Sequence, residues 1–94
     1  MSLEFEWNPK KAKSNLRKHG CTFLEGSTSF SDPFSFTISD PDHSEFEYRF
    51  LHLGQTTNQK LVVVSFAERG DRIRIISVRC ASKRERLQYE QNPP

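Results

Sequence analysis

The sequence predicts an α+β domain. Its sheet is antiparallel, about four strands plus a short N-terminal strand, with helices packed mainly on one face. Three observations carry this. Several stretches alternate apolar and polar residues with period two, as strands do. Short polar turns separate the later ones, which implies antiparallel pairing. Helix signatures flank this run of strands instead of alternating with it. At 94 residues, the chain is read as one domain over 1–94.

The elements follow in order. Leu3, Phe5 and Trp7 alternate with Glu4 and Glu6, giving a short half-buried strand. Asn8-Pro9 opens a helix, with Asn8 as N-cap and Pro9 at the first helical position. It runs to about His19, with Gly20 as its C′ residue, and Pro9, Ala12, Leu16 and His19 form a thin buried stripe. Thr22-Phe23-Leu24-Glu25 is a capping box opening a shorter helix, weakened by Gly26 and ended by Ser31-Asp32-Pro33. Phe34, Phe36 and Ile38 mark a strand, and Asp40 to His43 a polar turn. A strand follows over 45–53, then a turn over 54–59. Lys60 to Phe66 is apolar on both faces and suits a central strand. Arg69-Gly70-Asp71 turns the chain into a last strand, Arg72 to Cys80. Ser82-Lys83-Arg84-Glu85 is a second capping box, and its helix continues to about Gln91.

Composition removes several function classes. The apolar run Leu61 to Val64 is far below the roughly 20 residues of a membrane helix. Residues 1–7 show no signal-peptide pattern, and Cys21 and Cys80 are no disulfide framework, so a cytoplasmic chain with free thiols is expected. The formal charge is only +2, which argues weakly against a nucleic-acid protein. That total hides segregation. Lys10 to His19 carries five basic residues and no acid, and Glu25 to Glu47 carries six acids and no Lys or Arg. Arg69 to Arg86 carries seven basic residues against Asp71 and Glu85. Two basic blocks of +5 are cancelled by an acidic middle. If they converge on the open face of the sheet, they make a positive cleft for phosphates; on opposite sides, they do not.

The last strand is the richest in candidate chemistry. Period two sets Arg72 and Arg74 on one face and Arg79 on the other, unless a bulge brings them together. Such arginines either pair with Glu47 or Glu68 across strands, or fork onto phosphate oxygens. Lys83 and Arg84 sit at the start of the last helix, where the dipole disfavours cations; a screened surface or a nearby anion explains them. His19, His43 and His52 lack metal-ligand spacing, so neither a metal nor another cofactor is expected. Tyr89 is either a core aromatic or a hydroxyl within reach of phosphate.

Several of these residues also fall into a recognisable set. Phe5-Glu6-Trp7-Asn8, Lys11, Asn15-Leu16-Arg17-Lys18-His19-Gly20 and Phe23 form its N-terminal part. Glu47-Tyr48-Arg49 and Gly54 follow, then Ile73 to Arg79, Ala81-Ser82, Glu85-Arg86 and Tyr89-Glu90. In this combination, spread over about residues 4–90, the chain resembles the BrnT family of type II toxin–antitoxin toxins. Asn8 stands where that family usually has Asp, and keeps the N-cap role.

The resemblance implies a RelE-like fold and a bacterial endoribonuclease that cuts RNA without a metal and arrests translation. It implies a BrnA-type ribbon–helix–helix antitoxin that neutralises the toxin, with operator DNA reached only through that antitoxin. On this reading Arg74 and Arg79, with Arg49, stabilise the transition-state phosphate, and His19 or Glu47 is the general base. Tyr89 positions or transfers a proton, and Lys18, Lys83 and Arg84 bind the RNA backbone. Two alternatives stand beside it. One is a non-catalytic module that uses the same arginines to bind protein or nucleic acid. The other is a degenerate toxin that retains only antitoxin binding.

Overall fold

The computed structural model describes residues 3–40 and 47–91. The elements are β1 (Glu4–Glu6), α1 (Pro9–His19), α2 (Phe23–Thr28), a 3-10 turn (Ser29–Ser31), β2 (Phe36–Ser39), β3 (Arg49–Gln55), β4 (Leu61–Arg69), β5 (Arg72–Cys80) and α3 (Lys83–Gln91). The sheet order is β1-β5-β4-β3-β2. The four strands β2 to β5 pair antiparallel, and β1 joins β5 in parallel. The expected α+β architecture is therefore present, with a mixed sheet because of β1. β4 is the middle strand, in keeping with its apolar character on both faces. The polar turn expected from Pro41 to His43 lies outside the described residues.

Helices α1 and α2 cover one face of the sheet. Beneath them Cys21, Phe23, Val62, Val64, Phe66, Ile73, Ile75 and Val78 form the main core, with Phe5, Trp7, Phe30 and Phe50 around it. His52 also lies on this side, buried, with Nδ1 2.7 Å from Thr37 Oγ1 and Nε2 3.2 Å from the Ser29 carbonyl. Phe30 stacks on its ring at 4.0 Å. Cys21 and Cys80 are free thiols whose Sγ atoms lie 3.8 Å apart. Among the described residues, the opposite face is covered only at one end, where Leu53, Leu61 and Val63 pack with Ala81 and Tyr89 as α3 folds over them.

A bulge in β5 sets the orientation of its arginines. Ser65 pairs with Ser77 and Phe66 with Ile75, so Ile76 is the extra residue. The phase of alternation shifts there by one. Ile73, Ile75 and Val78 all reach the core, and Arg72, Arg74, Ser77 and Arg79 all take the other face. Strict period two would have separated Arg79 from the other two arginines.

The stripe expected on α1 is corrected. Leu16 and His19 are exposed, Pro9 is exposed, and the buried position is Asn15. Its side chain completes the edge of β5 as a strand would. Oδ1 accepts from the Val78 amide at 3.1 Å, and Nδ2 donates to the carbonyls of Val78 and Cys21 at 2.8 and 3.0 Å. A polar residue is buried because it pairs backbone groups that would otherwise be stranded. Both capping boxes form. Thr22 and Glu25 exchange bonds at 3.0 and 2.8 Å, and Ser82 and Glu85 at 3.2 and 2.8 Å. Gly26 has a packing reason: a Cβ there would lie 2.5 Å from Val78 Cγ2, so α2 sits tightly on β5.

Candidate nucleic-acid interface

The register of the strands lays out the open face in rows. The first holds Arg69 and Arg72, with Glu4 beyond. The next runs Arg49, Ala67, Arg74, Glu6. Then come Leu51, Ser65 and Ser77, and after them Leu53, Val63 and Arg79. Arg49 and Arg74 stand two strands apart, about 10 Å at the usual strand spacing. Between them the floor is small, Ala67 with Ser65 and Ser77 beside it. Ala67 is fully buried, so the surface that an anion meets here is made by the surrounding arginines.

Four of these guanidinium groups, those of Arg69, Arg72, Arg74 and Arg79, are oriented by carboxylates. Arg74 Nη1 donates to Glu6 Oε2 at 2.7 Å, and Arg72 lies 3.6 Å from Glu4 and 3.8 Å from Glu6. Arg69 is forked onto Glu47 at 3.0 and 3.3 Å. Arg79 is forked onto Glu85 with two bonds of 2.8 Å. The cross-strand partner expected for the arginines, Glu47, thus serves Arg69, and those of β5 use β1 and α3 instead. The Arg79 fork, with help from the Ser82 amide, pulls the Glu85 carboxyl down to about 2.

The second basic block arrives at the same strand from the other side. A notch of about 180 Å³ at the free edge of β5 is lined by Lys11, Ser14, Lys18 and His19 of α1 and by Ile76 and Ser77. Ser77 also belongs to the open face, between the rows of Arg74 and Arg79. The two basic blocks therefore meet around the β5 edge, at the bulge. α1 itself packs on the covered side, so its cations do not lie over the open face.

Of the residues singled out from sequence, Arg74 and Arg79 share the open face with Arg49, and Glu47 lies at its upper end on Arg69. His19 and Lys18 line the adjoining notch. Lys83 and Arg84 are exposed at the start of α3, beyond Arg79. Tyr89 is held at the far end. Its hydroxyl donates to Asp32 Oδ2 at 2.5 Å and its ring packs with Leu53, Leu61 and Val63. Burial and the Asp32 bond push the phenol up to about 12. Asp32 is further held by the amides of Gln55 and Phe34 at 2.8 and 2.9 Å. The structure does not bring Tyr89 together with His19 or Arg74.

Sequence reasoning missed Glu6, Glu85, Asn15 and Ser77 as parts of this site. The alternation in Glu4-Phe5-Glu6 was a signal for two carboxylates on one face, but parallel pairing of β1 with β5 is a tertiary fact. Among the described residues, no group of three His, Cys, Asp or Glu could hold a metal ion. No described helix is long and apolar enough to cross a membrane.

The comparisons follow this geometry. The crystal structure of the Brucella abortus ribonuclease toxin BrnT superposes with a TM-score of 0.63 and 22% identity, covering 87% of this chain and 100% of that one. At that identity it shows the fold alone. No curated protein matches the sequence. The family model described as the ribonuclease toxin BrnT of type II toxin–antitoxin systems matches residues 7–85, which take in α1, β5 and the start of α3. The chain belongs to the BrnT family of ribonuclease toxins of type II toxin–antitoxin systems.

Proposed function

We propose that this toxin is a metal-independent endoribonuclease that arrests translation in the bacterial cytoplasm. What supports the reading is one observation above all: Arg49 and Arg74 stand on the uncovered half of the sheet, Arg79 stands on the same face where α3 begins to cover it, and His19 and Lys18 line the notch at the β5 bulge. In such a reaction the 2′-hydroxyl of the substrate attacks the adjacent phosphorus and the 5′-oxygen leaves. The products are a 2′,3′-cyclic phosphate and a free 5′-hydroxyl. One proton leaves the attacking oxygen and one reaches the departing oxygen, so the protein need only orient the strand, move protons and hold charge.

The guanidinium groups carry the charge term, because they stay ionised and fork onto two phosphate oxygens. Arg74 and Arg79 hold the phosphate, with Arg49 opposite. His19 at the notch is the preferred general base, since Glu47 is already forked onto Arg69. Lys18, Lys83 and Arg84 hold the flanking backbone. Tyr89 acts as a positioning residue through α3, which carries Glu85 and so the orientation of Arg79. The antitoxin is of the ribbon–helix–helix BrnA type, and operator DNA is bound only through it.

The test is cleavage of end-labelled RNA by the purified chain in EDTA. Cyclic-phosphate ends are expected, with rates about 10²–10³ lower for Arg74→Ala and Arg79→Ala. Intact RNA with tight, salt-dependent binding would instead favour the non-catalytic module. Equal growth arrest by wild type and Arg79→Ala, expressed without antitoxin, removes Arg79 from the mechanism.

A further inference from the structure

The helical side of the molecule carries a second surface. Between α1 and α2 runs a groove of about 220 Å³ lined by Trp7, Ala12, Lys13, Leu16, Phe23 and Leu24. Leu16 is 48% and Leu24 67% exposed, two large aliphatic side chains side by side in water. Neither contributes to the core. Along the outer flank of the groove Lys10, Lys13 and Arg17 recur at helical spacing, all exposed. From Lys10 to His19 no acid offsets them.

We propose that this groove is the docking site for an acidic, amphipathic segment of the antitoxin. The inference rests on the type II toxin reading, which supplies a protein partner, and adds where that partner is held. Charge complementarity chooses the occupant: an apolar stripe fits Leu16, Leu24 and the Trp7 edge, and carboxylates on its flank meet Lys10, Lys13 and Arg17. The position also explains how such a partner acts on the candidate site. By helical geometry Ala12, Lys13 and Leu16 lie on one flank of α1, while Lys11, Asn15 and Lys18 lie on the other, facing the notch. The groove and the notch are separated by one helix, a width of about 10 Å. A chain seated in the groove needs only to cross α1 to cover Lys18 and His19.

The probe is the BrnA-type antitoxin proposed above, full length, titrated calorimetrically against the full-length toxin. Leu16→Glu with Leu24→Glu is expected to weaken binding at least tenfold while RNA cleavage stays at the wild-type rate. Lys13→Glu with Arg17→Glu, a surface change with no packing cost, is expected to weaken it and to flatten its salt dependence. Wild-type affinity in both double variants overturns the proposal. So does loss of RNA affinity with antitoxin binding intact, which makes the groove an RNA surface, or loss of a concentration-dependent dimer alone, which makes it a contact between copies. The toxin reading fails differently: the wild-type chain then neither cuts RNA nor binds the antitoxin.

Discussion

Asn15 shows how one side chain can join two layers. It pairs both backbone groups of Val78 and the carbonyl of Cys21, and thereby fixes α1 against the edge of β5 beside the bulge. Asn15→Leu keeps the branching, adds some volume, and strands three buried polar groups, each of which costs about 1–3 kcal/mol when left unpaired. Allowing for partial relaxation, a loss on the order of 3 kcal/mol is expected, read as a lower urea midpoint. A change under about 0.5 kcal/mol would mean that water or another side chain replaces these bonds. Such a residue is hard to find from sequence. A helix stripe is sought among apolar residues, which points to Leu16 and away from Asn15. The hydrogen bonds that make burial of Asn15 favourable come from a strand 63 positions later.

Local elements were the most legible part of the chain. Both capping boxes, the N-cap Asn8, the left-handed Gly20 at φ 70° and the apolar middle strand all follow from neighbouring residues. What escaped was the phase of β5, because a bulge depends on its partner strand. The arginine cluster was therefore legible as composition and not as geometry. The capping boxes also set a pH dependence. Hydrogen bonding from the Thr22 amide, with Lys60 at 2.9 Å, takes Glu25 to about 2, and the Arg79 fork does the same for Glu85. Unfolded, these carboxyls take up protons near their ordinary value of 4.5. As pH falls, the unfolded chain binds protons first, so the stability these groups provide is present above about 4.5 and drains away toward 2. Burial of His52 adds a second window. Its proton affinity is lowered below the ordinary 6.5, so stability also declines as pH drops below that value. Chemical denaturation from pH 8 to 3 should show both declines, and Glu85→Gln should lessen the acid one. An acid limb unchanged by Glu85→Gln would place the titration elsewhere.

At the scale of the whole molecule, the net charge of +2 turns out to describe pairing as well as segregation. Carboxylates from β1, α3 and Glu47 just before β3 hold Arg69, Arg72, Arg74 and Arg79 in place, so the free protein presents oriented guanidinium groups at little net charge. Phosphate must compete with those carboxylates. Two substitutions in one ion pair should therefore act in opposite directions. Arg74→Ala removes a phosphate ligand: RNA binding weakens, and the slope of log affinity against log salt falls by about 0.7, the value for one contact to a single strand. Glu6→Gln releases Arg74 from its partner at 2.7 Å. A half-exposed pair of this kind contributes about 0.2–1 kcal/mol, so RNA affinity should rise by about 1.4- to 5-fold. Binding is measured by fluorescence anisotropy on a short non-cleavable RNA bearing 2′-O-methyl groups, between about 50 and about 300 mM salt. If Glu6→Gln weakens binding as Arg74→Ala does, the carboxylate is needed to aim the guanidinium and the competition argument fails. If neither variant moves the slope, the RNA lies along the basic notch of α1 and the arginines of the open face do not bear on its phosphates.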